Sequence, residues 1–596
     1  MINFFKNFFI KFKNKGGGFS ENIKKHFVWD KDLFKKLRKN GKTELPTIKQ
    51  LKYFPSLLIK EERKNFIIFG LFFILALSFF LLRIYFRLPI VPVRGGEYTE
   101  GIVGKIEVIN PIFSLRNDAE QDVTKLIFSG LFKWKDNKIS PDLAEKWEMK
   151  NEYKNYILYL KKNVLWHDGK NFSADDVIFT IQAIQNDKVK SPLKETFLNV
   201  KIKKVDDYTV ELILEKSSPF FISSLTFGII PKHLWKIVSF ENFLADDLNL
   251  SPIGTGPFKV KEEIKQENGQ IKKIVLEKNK KYLAHPAYLN KLIIKFFNTH
   301  EDAFEALISK KIDGLSHTRK SDDVETAPKN YNVYKIPLSY YTAIFFNEES
   351  VVLKNKTVRE ALTYAFDKKE AIKDLKNIEP LETAVINNDF RSSKINGYQY
   401  SPVKAENKLK EAGYIKKSGW FKDKKGWVLE INLVTSEGIA SEKTGDKVKE
   451  IWEKFGIKIN LEVLEKDKFN KALQKNDYDA ILSTVVEGYD FDPFFLWHSS
   501  QIEDGFNLSN FKDIKANLLL EKARSATNKD ERKKYYEEFQ QIIYDDVPAI
   551  FLYQVDLSYF QDKKIKGFQA SYLPAPSDRF ADIENWYVFS KRGLRK

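Results

Sequence analysis

Hydrophobic and polar positions along the chain alternate with two periods. Residues 156–160 (YILYL), 208–214 (YTVELIL), 274–276 (IVL) and 292–297 (LIIKFF) read as strands, whereas 174–185, 301–310, 358–372, 403–412 and 515–525 carry helical spacing. The 174–185 helix has Ser173 at its N-cap with Asp176 three residues on, and Val177, Ile178, Ile181 and Ile184 form its apolar stripe. Thr357 and Glu360 repeat that capping logic. Strands interleaved with helices predict an α/β architecture from about residue 97 onward, without internal repeats.

One run breaks the pattern. Residues 66–82, FIIFGLFFILALSFFLL, hold no charge, and as a helix they would rise roughly 26 Å. With Ile84–Phe86 the length matches the roughly 30 Å core of a bilayer. No A-x-A cleavage signal follows, and 65 residues precede it, so an uncleaved anchor over 66–86 is expected rather than a signal peptide. Lys60, Arg63 and Lys64 flank it on the N-terminal side, which orients residues 1–65 toward the cytoplasm. That arm holds 17 Lys/Arg against 6 Asp/Glu, so +11 of the net +18, leaving +7 for the other 531 residues. The arm reads as a solvated tail or as an amphipathic segment on anionic lipid. The weak basicity of the remainder argues against a nucleic-acid partner.

Candidate chemistry is thin. The absence of cysteine excludes disulfides, thiolate metal sites and a lipid-modified cysteine. The seven histidines (26, 167, 233, 285, 300, 317, 498) include no i, i+3 or i, i+4 pair, so no metal or cofactor is expected. SPIGTGPFKV at 251–260 runs from its glycines into a proline and a strand pattern rather than a helix. It therefore reads as a tight turn with unusual glycine φ values, not a phosphate loop. WHDGKNFSADDV at 166–177 looks catalytic but reads as architecture. Asp168-Gly169 makes a turn, Trp166 packs beneath, and His167 and Lys170 sit at the surface. With no nucleophile elbow, an enzyme is not expected. In VVEGYDFDPFFLWHSS (485–500), Asp490 and Asp492 stand among Tyr489, Phe494, Phe495 and Trp497. Carboxylates among aromatics suit a cleft for a cationic group, and equally suit a structural turn before Pro493.

Several stretches together resemble one family. They are FSGLFKW (128–134), PDLAEKWE (141–148), YILYLKKNVLWHDGKNFSADDVIFT (156–180), GTGPF (254–258) and AIFFN (343–347) leading into KTVREALTYAFDKKEAI (356–372). AENKLKEAGY (405–414), DFDPFFLWHSSQ (490–501) and ERKKYYEEFQQIIYDDVPAIFLY (531–553) complete the series. From about 97 to 590 the chain is similar to the family 5 extracellular solute-binding proteins of ABC transporters, which include peptide-, oligopeptide- and nickel-binding proteins. The resemblance implies a two-lobed clamshell of the periplasmic-binding-protein type II class. Lobe I would comprise 97–339 plus 553–596, with an inserted subdomain at 132–250, and lobe II 340–552. The chain would cross between lobes near Tyr340–Asn347 and Pro548–Tyr553. The implied ligand is a peptide or similar small solute held in the interlobe cleft, and the implied partners are an ABC permease and its ATPase subunits. Asp490 or Asp492 would meet the ligand's amino group, with Tyr340, Tyr341 and Trp497 as crossover or cleft aromatics. The basic arm and anchor replace the family's usual cleaved leader. They imply a single-pass membrane protein with an extracytoplasmic binding domain, or else an anchored sensor using the same fold.

Overall fold

The computed structural model describes residues 60–592 apart from 136–137, 219–220, 284, 318–325, 376–377, 388, 490–491 and 504. The arm at 1–59 and Asp490 therefore lie outside the described residues. Helix α1, Lys60–Arg87, belongs to one compact unit, and Val91–Lys591 forms another.

In the larger unit, the strands predicted from alternation are present. β1 is Glu97–Val103, followed by α2, Asp118–Ile127. Next come β2 (Ala144–Lys150), β3 (Asn155–Leu160), α3 (Ala174–Gln185), β4 (Lys201–Asp206) and β5 (Thr209–Ile213). These strands make a four-stranded antiparallel sheet in the order β2-β3-β5-β4. In β3, Tyr156, Leu158 and Leu160 are buried, every second residue, as the YILYL alternation requires. At the start of α3, Asp176 Oδ2 accepts the Ser173 amide at 2.9 Å, the returning half of a capping box.

The chain then enters the large mixed sheet through β6 (Phe258–Lys265), β7 (Ile271–Lys278), β8 (Lys291–Phe297), β9 (Gly314–His317) and β10 (Tyr331–Phe346). After helix α4 (Lys356–Tyr364) come β11 (Glu430–Ser436), β12 (Lys458–Leu464) and β13 (Ala480–Val486). Helices α5 (Ile514–Ser525) and α6 (Lys529–Asp546) lead to β14 (Ala549–Asp562). The order is β12-β11-β13-β10-β14-β9-β1-β8-β7-β6, with a short strand at Ile378–Pro380 pairing off β14. Sixteen-residue β10 pairs antiparallel with β14 along most of its length.

Buried apolar side chains collect in separate clusters. One joins residues between 98 and 296 to Ile336, Leu338, Leu557, Tyr559 and Trp586. Two others draw on residues between 341 and 555. The strands β10 and β14 contribute to all three, changing cores along their length. At the base of the first cluster, fully buried Arg579 pairs with Glu100 (2.9 Å) on β1 and Asp122 (2.6 Å) on α2.

Several expectations are corrected. Helix α4 is capped by Asn355, whose side chain accepts from the Thr357 amide, rather than by Thr357 itself. The 358–372 pattern breaks into α4 and a second turn, Lys368–Ile372, capped by Asp367. Gly254 and Gly256 do not adopt positive φ. They are glycines because a Cβ there would fall 2.0 and 2.6 Å from the Ile127 main chain, where the Gly256 amide donates to the Ile127 carbonyl at 2.8 Å. His167 is not a surface residue of its turn. Its Nδ1 accepts from the Gly254 amide at 3.3 Å, so Nε2 donates to the Gly256 carbonyl at 3.1 Å. The two sequence motifs that looked separate are one packed contact.

Among the described residues, no helix is long and apolar enough to cross a membrane, so the expected anchor over 66–86 is not carried by them. That run includes Phe66 and Phe69, whose side chains are not described. Helix α1 itself spans 28 residues, about 42 Å, and its Phe72, Leu75 and Phe79 are exposed.

Removing one partner from a buried ion cluster leaves uncompensated charge, so Arg579→Met should destabilise the fold by about 3–5 kcal/mol, read by chemical denaturation. Burial lowers the His167 pKa to about 4, against a weaker opposing effect of the Gly256 carbonyl. A histidine held neutral in the fold contributes stability above its ordinary value near 6.5 and loses it as pH falls toward 4. Melting temperature should therefore drop over that window, and His167→Gln, which cannot titrate, should show a shallower drop.

Candidate functional site

Three segments converge on Ser339 in the middle of β10. Its carbonyl accepts the Glu487 amide at 2.9 Å, and its amide donates to the Leu573 carbonyl at 3.2 Å. Its hydroxyl donates to the Gly488 carbonyl at 3.0 Å. The point where β10 passes from one core to the next is thus also where the ends of β13 and of the 570s loop are tied.

Period-two geometry puts Glu487 on the same face as Val485 and, across the β13–β10 ladder, Tyr341. This is the inward face, so a carboxylate stands where an apolar side chain is expected. Both Glu487 oxygens are shut off from solvent and have no hydrogen-bond partner. Among the described residues no cation forms an ion pair with it. The nearby Arg391 is engaged elsewhere, donating from Nε to the Val385 carbonyl (3.2 Å) and from Nη2 to the Ile386 carbonyl (2.8 Å). Burial, and secondarily the charge of Asp492, push the Glu487 carboxyl well above the usual range, with Arg391 opposing. Burial in turn lowers the Arg391 guanidinium.

Of the residues singled out in the sequence, Tyr341 and Trp497 come to this spot. Both are 0% exposed and belong to the second core. The Tyr341 hydroxyl and the Trp497 indole nitrogen are buried without hydrogen-bond partners. They face one another without reaching bonding geometry, and burial followed by the Glu487 charge raises the Tyr341 phenol. Asp492 is committed to structure. Its Oδ2 accepts from Arg524 Nε at 2.7 Å and its Oδ1 from the Phe494 amide at 3.2 Å, while the Arg524 guanidinium lies 3.6 Å over the Phe494 ring. The turn reading of the Asp-Phe-Asp-Pro stretch accounts for Asp492.

Tyr340 points the other way, packing against the first core. Burial and then the carboxylates of Asp118 and Asp578 raise its phenol. On that side the Tyr489 hydroxyl donates to Asp578 Oδ1 at 2.9 Å, and Lys125 pairs with the same carboxylate at 2.8 Å. Trp134 stands 6.2 Å from both Tyr489 and Tyr572.

Beside this contact lies a cavity of about 520 Å³, lined by Trp134, Tyr334, Tyr572 and Trp586 with Lys135, Asp578 and Asp582. Tyr572 links it to the acidic spot, since burial pushes its phenol up to about 12 and the Glu487 charge adds to the rise. A second cavity of about 40 Å³, near Lys368 and Glu382, has room for a few waters at most. Among the described residues no cluster of histidine and carboxylate side chains could hold a metal ion.

Sequence reasoning missed Glu487, Arg391, Tyr572 and Trp134. For Glu487 a signal existed: a glutamate two residues after Val485, in register with the buried face of an otherwise apolar strand. Trp134 was quoted as part of FSGLFKW without a role, and nothing local marked Arg391 or Tyr572.

A family model described as bacterial extracellular solute-binding proteins, family 5, matches residues 138–506. The oligopeptide-binding protein AppA of Bacillus subtilis is 29% identical over 520 residues, covering 83% of this chain and 92% of AppA. The dipeptide-binding protein of Escherichia coli is 25% identical over 469 residues, 73% of this chain and 85% of that protein. The solved structure of Bacillus subtilis AppA with a nonapeptide superposes with a TM-score of 0.69 at 26% identity, covering 84% of this chain and all of that one (100%). NikZ of Campylobacter jejuni, solved with Ni(L-His), superposes with a TM-score of 0.68 at 27% identity, covering 82% and 99%. With the family model spanning more than half of its length and the same two-lobed α/β fold beneath, this chain belongs to the bacterial extracellular solute-binding proteins of family 5.

Proposed function

We propose that this protein is the membrane-anchored, extracytoplasmic solute-binding subunit of an ABC importer, and that its solutes are peptides or similar small amines. The observation that carries the reading is the aromatic-walled cavity of about 520 Å³, whose lining also includes the carboxylates of Asp578 and Asp582. Its volume suits a small-ligand site, about 300–1,000 Å³. Aromatic walls can hold varied side chains, while the charged Lys135, Asp578, Arg579 and Asp582 can fix the ends. The oligopeptide-binding AppA and dipeptide-binding relatives favour peptides as the class.

In this reading lobe I comprises 97–339 and 553–596, with the subdomain 132–250, and lobe II 340–552. The cleft between them closes about the β10 and β14 crossovers, with the Tyr489–Asp578 hydrogen bond joining the two sides. The closed form docks on a permease whose ATPase partners drive import, and the protein alters no bond in its ligand. Tyr340 fronts the cleft, with Glu487, Tyr341 and Trp497 beneath. Asp490 remains a candidate by its position. In this reading the apolar run 66–86 is the anchor, with residues 1–65 inside, and tethering raises the local concentration of receptor at its permease.

Two experiments test this. Native mass spectrometry of the full chain in detergent should release an intact peptide. Calorimetry with a soluble nonapeptide should show weaker binding for Trp134→Ala, whereas Asp492→Asn should leave affinity near the parent's and lower stability by about 1–3 kcal/mol through loss of the Arg524 pair. Co-purified sugar alone, with no peptide binding, would overturn the peptide class. For the anchor, the cysteine-free sequence allows single-cysteine labelling in intact cells or spheroplasts. Asn268→Cys should react with an impermeant maleimide and Ser20→Cys should not. Removal of 60–87 should free the protein from carbonate-washed membranes, and unchanged retention would refute the anchor.

A further inference from the structure

Four buried polar atoms without partners meet at one place: both oxygens of Glu487, the Tyr341 hydroxyl and the Trp497 indole nitrogen. Isolated orphans of this kind are rare in folded proteins, and each costs about 1–3 kcal/mol if nothing ever satisfies it. A cluster of them at the crossover, next to a cavity through Tyr572, is the signature of a place completed by something that binds.

The charged and titratable groups around Glu487 limit what that is. Asp492, on the loop following β13, repels a negative Glu487, although Arg524 partly neutralises it. Arg391, on the segment before residue 392, attracts it but spends its donors on the Val385 and Ile386 carbonyls. Tyr341 from β10 and Tyr572 from the 570s loop face it as neutral phenols raised by burial and by its own charge. No neighbour supplies a paired cation. A carboxylate in this setting is far costlier than a carboxylic acid.

We propose that Glu487 stands as the neutral acid in the ligand-free protein and gives up its proton when a cationic group of the ligand docks against it. The step balances as carboxylic acid plus ligand ammonium going to a carboxylate–ammonium pair plus one proton released to solvent. The Tyr341 hydroxyl, which feels the Glu487 charge, and the Trp497 N–H beside it carry no hydrogen bond in the empty state. Binding is thereby coupled to pH. Affinity rises with pH through the weakly acidic range and falls on acidification, because protons compete with the ligand for one site. This rests on the peptide-binding reading above, and Glu487 rather than Asp492 is then the cation-receiving group.

The test uses the full chain in detergent, with a soluble nonapeptide and its N-acetylated twin as probes. Calorimetry in phosphate and in Tris should give binding enthalpies that differ by the buffers' ionisation enthalpies times about one proton released. Glu487→Gln should abolish that difference and weaken the free-amine peptide about tenfold or more. The acetylated peptide should bind weakly to both proteins. A parent protein that binds the peptide without proton release overturns the proposal, as does a Glu487→Gln variant that keeps the release.

Infrared spectroscopy decides the resting state without any ligand. The parent at pH 7 should show a protonated-carboxyl stretch that Glu487→Gln lacks, and absence of that band in the parent overturns the neutral acid. Because folding with this group neutral becomes harder above the ordinary carboxylate pKa, Glu487→Gln should fold at least as stably as the parent at pH 7. Should it fail to fold, Glu487→Asp is the second variant, retaining the band and the proton release with weaker binding. If the parent binds neither peptide, the peptide reading falls together with the ligand half of this proposal, and the infrared band still decides the protonation.

Discussion

The fold depends on two strands that serve several cores at once. β10 and β14 pair antiparallel, and each buries one stretch of side chains in the first cluster and the next stretch in the second and third. Because a strand cannot slip by one residue without turning every side chain to the opposite face, the register of this single pair fixes the cores relative to one another. Ser339 sits where the exchange occurs, and its three main-chain and hydroxyl bonds tie β13 and the 570s loop to that place. The β10–β14 register is interrupted there, between Pro337 and Tyr341, so these cross-ties rather than the ladder hold the place.

The same constraint explains why polar groups are tolerated at the crossover. Some of the interior charges are matched: Arg579 by two carboxylates, and Asp492 by Arg524 and a main-chain amide. Glu487, carried inward by strand alternation, has both carboxylate oxygens buried without a hydrogen-bond partner. A polar residue on a buried face of a rigid strand cannot rotate out to water, so its protonation state and its ligand are the means left to relieve it.

The strand-and-helix periods of the larger unit were legible because alternation and capping act locally: YILYL, the Ser173–Asp176 start and the 402–411 helix follow from neighbours in sequence. The Asn355 and Asp367 caps are local corrections, whereas those at His167, Gly254 and Gly256 come from distant contacts. His167 is held half-buried because Gly254 and Gly256 lie against it, and those glycines are small because Ile127 crowds them, relations spanning up to 129 positions that no local pattern carries. The site divides in the same way. Tyr341 and Trp497 were visible as aromatics beside a crossover and a carboxylate-rich loop. Arg391 and Tyr572 reach Glu487 only through the folded sheet, and Asp492 looked free because Arg524, 32 residues on, was not its evident partner. Asp490 and the basic arm stand outside the described residues.

The Arg579 pairing also sets an order in time. Glu100 and Asp122 leave the ribosome early, yet the guanidinium that neutralises them is 479 and 457 positions later. At ordinary synthesis rates of roughly 5–20 residues per second, that is a delay on the order of a minute. The second and third cores draw on a continuous stretch, 341–555, and can close as they emerge. The first core lacks this cation until nearly the last residues arrive, and a chain truncated before residue 579 leaves Glu100 and Asp122 without it.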